Sequence, residues 1–334
     1  MPQAMSVPAV SAQPVPIGAL DAAFLQPFLA AHGAIPPEQH PVFAPVINAG
    51  VALKCFRFVR EGKVIGYAIV KLRQYILADV YFGPVVLDSK DYKACIAALK
   101  PALRRQARLM LRIIPPRYAA DVDGYGAQFN WATIVLDISR SREDLLRSFS
   151  VNHRQSIGKA LKAGITVKPL PVRDSAAWLS GYINMFRRRG IAKVAEDAGQ
   201  VLAAMTALSG APGDSVFILA AYLNDGSTVA GGGIFLCSGD TCSYYLGFSE
   251  KTDPPVPVLH LLLLEAMLAA ASRGCRLFDL YGYSLAGDDA QLKAINDFKR
   301  WFRGELQVYP GTVLLPLYAV AAPLIKWLHR KGKL

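Results

Sequence analysis

Lys299 sits in the run Asn296-Asp297-Phe298-Lys299-Arg300-Trp301-Phe302-Arg303-Gly304-Glu305-Leu306. Read as a helix at about 100° per residue, Leu292, Ile295, Phe298 and Phe302 share one arc, and Lys299 falls just inside its edge. Two chemistries fit a lysine there. Its stem can cover apolar surface while the ammonium reaches water. Alternatively, the ammonium stands at the rim of a cleft, where it would stabilise a developing oxyanion. Just upstream, a short apolar strand over 277–281 ends on Asp279, Tyr281 and Gly282. Ligands of open α/β sheets gather at the carboxyl ends of strands. Asp279 reads there as a proton acceptor or, equally, as a hydrogen-bond acceptor that orders the next loop. Tyr244 and Tyr245 alternate faces on another strand, so one of them lines a cleft, and Tyr245 is the candidate.

A second set of chemistry-bearing residues lies on the helix expected over 141–164. Ser141-x-x-Asp144 fits a capping box, and Gly164 suits the position just past the end. Leu146, Phe149, Ile157 and Ala160 fall on one side, and Arg147, Arg154 and Lys162 on another, with Lys159 at its margin. Such a stripe is a solvated face or a track for backbone phosphates. His153 points into the apolar side and reads as a satisfied core histidine. No local Ser/His/Asp signature of nucleophilic catalysis is present. The five cysteines are scattered, with only Cys237 and Cys242 close and no histidine near them, so no metal site is expected and reduced thiols are the default.

These residues need a scaffold, and the pattern supplies one twice. Strands over 51–58 and 64–72 flank the turn Arg60-Glu61-Gly62-Lys63. A strand over 75–82, a helix over 89–108 and a strand over 109–114 follow. In the second half, strands over 216–223 and 229–237 flank Asn224-Asp225-Gly226-Ser227, a hairpin signal. A strand over 241–248, a helix over 256–273 and a strand over 277–281 complete the repeat. Hairpin, strand, helix, strand is the core order of an acetyltransferase-like domain of the GNAT type. The expected fold is therefore α/β: two tandem GNAT-like (acyl-CoA N-acyltransferase-like) domains with mixed central sheets, at 21–140 and 165–311, joined by one long basic helix.

Three blocks carry a resemblance to a family. Phe278-Asp279-Leu280-Tyr281-Gly282 with Phe298-Lys299-x-x-Phe302-x-Gly304-Glu305-Leu306 and Tyr309-Pro310-Gly311 resembles the C-terminal signature of the Fem aminoacyltransferases. Arg154-Gln155-Ser156-Ile157-Gly158-Lys159-Ala160, running to Gly164-Ile165, is similar to that family's helix end. Phe82-Gly83-Pro84-Val85-Val86 resembles a turn in its first half. The resemblance implies transfer of an amino acid from aminoacyl-tRNA to an amine acceptor, a peptidoglycan precursor, with no cofactor beyond the tRNA co-substrate. It places Lys299 on the oxyanion, Phe298 at the pocket wall, and Tyr281, Tyr245, Arg154 and Lys159 in substrate binding. One departure concerns the nucleotide-linked acceptor: where family members carry an arginine and, four residues on, a tyrosine, this chain reads Lys193-Val194-Ala195-Glu196-Asp197.

The residues also bear on the donor. A GNAT domain that uses acetyl-CoA cradles the pyrophosphate on backbone N–H groups at a helix start. The corresponding segment here, Glu250-Lys251-Thr252-Asp253-Pro254-Pro255-Val256-Pro257, has no glycine and three residues without an N–H. Arg187-x-x-Gly190-x-Ala192 has the right residues but follows a helical stretch rather than a strand. The alternative function is an N-acyltransferase using an acyl-CoA or acyl-carrier donor, and a third is a non-catalytic protein on a degenerate fold.

Composition agrees with an anionic partner: 37 basic against 25 acidic residues in 334 give a net charge of +12. At 53% hydrophobic residues the chain is not disordered. Residues 1–20 carry four prolines and no charge and read as a disordered leader without a secretory pattern. Residues 312–325 are uncharged and precede Lys326, Trp327, His329, Arg330, Lys331 and Lys333. The uncharged run 312–325 is too short for a span and is interrupted by Pro316 and Pro323; the segment 312–334 reads as packed on the second domain or as docked on an anionic membrane face. The expected protein is a cytoplasmic monomer, peripheral at the inner membrane face if its acceptor is lipid-linked.

Overall fold

The computed structural model describes residues 9–73, 76–119, 125–126, 131–188, 199, 202–203, 205–206, 208, 216–285 and 290–323. Lys193 to Asp197, Gly190, Ala192 and the basic residues from Lys326 onward lie outside that set. The chain divides into two compact units, Met1–Trp131 with Val308–Leu334, and Ala132–Gln307.

The first unit is built on an eight-stranded sheet. Its order is Ser11–Val15, Ala52–Arg60, Lys63–Arg73, Leu77–Tyr81, Met110–Ile114, Val313–Pro316 and Tyr125–Gly126, with Val85–Val86 on the third strand. Only Leu77–Tyr81 and Met110–Ile114 run parallel. A parallel pair needs a crossover, and helix Tyr92–Arg104 provides it while laying Tyr92, Cys95, Ile96, Leu99 and Leu103 into the core. Glu61 and Gly62 take φ of 49° and 76°, the left-handed pair that a two-residue hairpin requires.

The second unit repeats the plan. Its sheet runs Tyr283–Ser284, Trp131–Asp137, Leu277–Asp279, Thr241–Ser249, Val229–Ser238, Val216–Tyr222 and Thr166–Pro169, with Glu305–Val308 on Trp131–Asp137. Here Thr241–Ser249 and Leu277–Asp279 run parallel, connected through helix Val258–Ala271. That helix is apolar nearly all round because both its sides are covered, by the sheet and by helix Val151–Lys162. On the other face lies helix Ser175–Arg188, so close that a Cβ on Gly232 would sit 2.0 Å from the Trp178 indole nitrogen.

Four expectations are corrected. The connecting helix over 141–164 is two helices, Arg142–Ser148 and Val151–Lys162, both in the second unit. Phe149 is extended between them, and Ser150 caps the second by accepting from the His153 N–H. Ser150 competes with helix continuation for the reason that makes serine a good cap. Strand Trp131–Asp137, inside the range assigned to the first domain, pairs with Leu277–Asp279 in the second sheet. Residues 9–20 of the leader are structured: Ser11–Val15 is an edge strand on Ala52–Arg60, where Pro14 withholds no interior ladder bond. Finally, Val313–Pro316 is an interior strand of the first sheet between Met110–Ile114 and Tyr125–Gly126. Val313, Leu314, Leu315 and Leu317 are buried there. The uncharged run signals a covered strand, and the apolar half of the proposed docking segment is core.

Candidate active site

Thr241–Ser249 and Leu277–Asp279 pair only from Thr241 to Ser243. Beyond that point the central strand runs on to Ser249 past the end of its parallel neighbour, at the carboxyl end where ligands of open α/β sheets gather. A bulge marks the place. Ile234 pairs with Leu246 and Phe235 with Tyr244, so Tyr245 is the extra residue. Tyr244 turns to the core and stacks on Phe235 at 5.6 Å, whereas Tyr245 faces Tyr281 with ring centroids 6.1 Å apart.

Beside the central strand, Asp279 ends its own strand and ties the next turn. Its Oδ1 accepts the Tyr281 N–H at 2.7 Å and the hydroxyl of Thr133 from the neighbouring strand. Tyr281 and Gly282 then take consecutive left-handed conformations, φ 49° and 58°. Lys299, in helix Ala290–Arg300, donates through Nζ to the carbonyls of both residues. An ammonium has three donors, so one N–H remains for another acceptor. Lys299 is 7% exposed. Burial drops its pKa from 10.5 to about 8, against the opposing charge of Asp279. The snorkelling reading therefore fails: the ammonium is held inside.

Phe298 packs against the core of the second unit. Its ring meets His260 edge-on at 5.0 Å and Phe302 at 5.5 Å. It belongs to an aromatic cluster in which His153 and His260 face each other, Nδ1 to Nδ1 at 2.8 Å. One ring must carry its proton on Nδ1 and the other accept there. Burial holds both neutral, with pKa values near about 3 for His153 and about 4 for His260. His153 is thus a core histidine as expected, but only half satisfied: His260 meets its Nδ1, a partner the sequence does not point to, while its buried Nε2 has no hydrogen-bond partner among the described residues. Phe298 fixes the lysine helix on the core and corrects the expected pocket-wall role.

Arg154 and Lys159 lie elsewhere on the unit. Arg154 donates from Nη1 to the carbonyls of Phe149 at 2.5 Å and Arg147 at 3.3 Å, closing the end of helix Arg142–Ser148. Lys159 is exposed and makes no ion pair among the described residues. Both face away from the buried side of their helix, which carries His153, Ile157 and Ala160. The structure therefore brings together Lys299, Asp279, Tyr281 and Tyr245, but joins neither basic residue to them. Thr133 was legible in no motif, because its contact with Asp279 spans 146 residues.

The stretch from Pro254 to Val258, just before the helix start, has no free N–H group to offer a pyrophosphate. Between the central strand and helix Val258–Ala271, Pro254, Pro255 and Pro257 have no N–H. Val256 N–H donates to the Thr252 hydroxyl at 2.8 Å, and Val258 N–H to Val256 O at 2.9 Å. Among the described residues, the corresponding turn of the first unit offers no cradle either. After Leu77–Tyr81 the chain turns through Gly83, whose carbonyl accepts from the Tyr92 hydroxyl at 2.9 Å, and re-enters the sheet at Val85–Val86. In this turn Phe82 lies 4.9 Å from the ring of Tyr309, so two sequence blocks far apart in the chain meet in the first unit. Among the described residues no group of three or more His, Cys, Asp or Glu side chains could hold a metal ion.

Residues 149–300 match the family of acetyltransferase (GNAT) domains, and these residues hold the parallel pair and Lys299. FemX superposes on 96% of this chain and 100% of its own, with a TM-score of 0.74 at 15% identity. The chain has a Fem-like tandem GNAT fold. A tandem GNAT protein from the clavulanic acid biosynthesis pathway covers 92% of this chain and 99% of its own (TM-score 0.57, 14% identity). L-PGS from Bacillus licheniformis covers 93% and 96% (TM-score 0.57, 12% identity). No curated protein matches the sequence. With the acetyltransferase domain on its second half and this fold throughout, the chain is an acyltransferase.

Proposed function

We propose that this acyltransferase is an aminoacyltransferase of the Fem type. It moves an amino acid from aminoacyl-tRNA to the amine of a peptidoglycan precursor, with the tRNA as co-substrate and no other cofactor. The observation that carries the donor assignment is the loop 250–257. A CoA pyrophosphate needs a row of free N–H groups, and in the stretch from Pro254 to Val258 three residues lack the group and the other two spend it internally. An aminoacyl ester on RNA needs no such nest, and the charge of +12 suits its phosphates.

At this site the acceptor nitrogen attacks the ester carbonyl, a C–N bond forms, and the carbonyl oxygen becomes an oxyanion. The remaining N–H of Lys299 lies at the turn of Tyr281 and Gly282 to stabilise it. Collapse breaks the C–O bond, and the ribose oxygen leaves with the proton that the amine gives up. Asp279 acts as a positioning residue, because its Oδ1 is committed to Thr133 and the Tyr281 N–H. Tyr245 and Tyr281 offer the acceptor an aromatic wall.

The test is transfer of label. Purified protein is incubated with total tRNA charged with labelled amino acids or, in parallel, with labelled acetyl-CoA, each with soluble and lipid-linked precursors. Label moving from tRNA supports the proposal. Label moving from acetyl-CoA alone overturns it in favour of a CoA-dependent N-acyltransferase.

A further inference from the structure

The end of helix Tyr92–Arg104 and the segment from Leu317 to Val320 form one surface of the first unit. The Leu317 N–H donates to Leu109 O at 2.9 Å, and the Arg104 guanidinium donates to Leu317 O. The Tyr318 hydroxyl returns to Arg104 O at 3.1 Å, while that guanidinium lies 5.7 Å from the Tyr318 ring. Pinned in this way, the chain presents Tyr318 at 36% exposure and Val320 at 83%.

Cations line the helix that ends at this apolar point with Arg104. At about 100° per residue, Lys93, Ala97, Lys100 and Arg104 fall on one side of the helix. Lys93, Arg104 and Arg105 are exposed and Lys100 is half-buried. None of the four makes an ion pair among the described residues. No acidic residue occurs from Tyr92 to Arg105, and the neighbouring Asp91 is taken by Arg60 at 2.6 Å. The sequence after Pro323, which lies outside the described residues, continues the mixture: Leu324, Ile325, Trp327 and Leu328 among Lys326, Arg330, Lys331 and Lys333.

We infer that this surface docks the protein on an anionic lipid bilayer. Cations alone would suit RNA phosphates equally. An outward valine and a partly exposed tyrosine beside them, followed by more apolar residues, fit the headgroup boundary, where aliphatic and aromatic groups enter and cations meet lipid phosphate. The inference goes beyond the proposed transfer reaction and does not depend on its donor. It also moves the membrane contact from the uncharged run 312–317, which is core, to the helix stripe and residues 318–320.

The experiment is co-sedimentation of the full chain with phosphatidylglycerol–phosphatidylcholine vesicles, and with phosphatidylcholine vesicles alone, at low and high salt. Binding to the anionic vesicles only, weakened by salt, is expected. K93Q/K100Q/R105Q should weaken it about 100-fold, near fivefold for each cation removed. V320D and a chain ending at Pro323 should each weaken it further at unchanged melting temperature. The inference is overturned if the wild-type chain ignores anionic vesicles, if neutral vesicles bind as well, or if the variants bind like wild type. It is also overturned if the triple variant loses affinity for tRNA while V320D keeps full vesicle binding, since the surface would then belong to RNA.

Discussion

Lys299→Met tests the site most directly, because the structure assigns the ammonium two jobs with different signatures. It clamps the carbonyls of Tyr281 and Gly282, and its third N–H is the proposed oxyanion donor. For the clamp, the energies nearly offset. The drop in pKa from 10.5 to about 8 means that folding disfavours the charged form by about 3 kcal/mol. Two hydrogen bonds to a charged donor return about 1.5–3 kcal/mol each. Methionine recovers the desolvation, loses both bonds and keeps the length of the stem. Gly282 is exposed, so water can reach its carbonyl in the variant. The expected loss of stability is therefore at most about 3 kcal/mol. Loss of one preorganised donor to a tetrahedral oxyanion costs about 10²–10³-fold in the chemical step.

Single-turnover transfer from charged tRNA, alongside thermal unfolding, separates the two jobs. A folded variant slowed by two orders of magnitude or more supports the oxyanion role. Turnover within threefold of wild type refutes it and leaves Lys299 a structural clamp. The pH profile gives an independent reading. A group with pKa about 8 is protonated below that value and loses its proton above it. A rate that needs the ammonium is thus full at neutral pH and falls as pH rises through about 8. Lys299→Arg, which keeps its charge, should lose that alkaline limb whatever its absolute rate, and a limb that persists would assign it to another group.

Thr133→Val removes the hydroxyl that holds Asp279 and should slow transfer about tenfold or more by loosening the 281–282 turn, with substrate binding little changed; an unaltered rate would strip Asp279 of its positioning role. Lys159→Gln should flatten the salt dependence of tRNA binding without touching stability, whereas Arg154→Gln should cost about 1 kcal/mol through the lost helix end-cap. Equal effects of the two on stability would contradict the contacts seen for Arg154. Acid should expose the buried histidine pair. The unfolded chain takes up protons on His153 and His260 below about pH 6.5, while the folded chain refuses them until about 3 and about 4. Stability is then full above about pH 6.5 and falls towards pH 4 with a slope near 2.7 kcal/mol per pH unit from the two. His153→Leu with His260→Met should flatten that limb in denaturant titrations, leaving the share of His40, which burial also holds down to about 4; an undiminished slope would refute the pair as its source.

What could be read from sequence follows the range of the interactions. The capping box at Ser141 and Asp144 and the left-handed Gly164 are decided within a few residues, and both appear as read. The repeated hairpin, strand, helix, strand order is also local, and with it the tandem fold. The errors fall where a distant partner decides the outcome. Residues 312–317 have the composition of either a tail or a covered strand, and only the vacancy beside Met110–Ile114 chooses between them. Trp131–Asp137 looks like part of the first half because it precedes the helices, yet its ladder partner lies 140 residues later. The site divides in the same way. Asp279, Tyr281 and Lys299 come from two neighbouring blocks of sequence, so their company was legible. Thr133 and the pairing of His153 with His260 were not, since nothing in a threonine or a histidine announces which remote acceptor will bury it. Phe298 shows why a matching motif can still misassign a role. A phenylalanine next to a lysine points about 100° away from it on a helix, so when the ammonium turns to the carbonyls of Tyr281 and Gly282, the ring turns to the core and serves the site only by anchoring the helix that carries it.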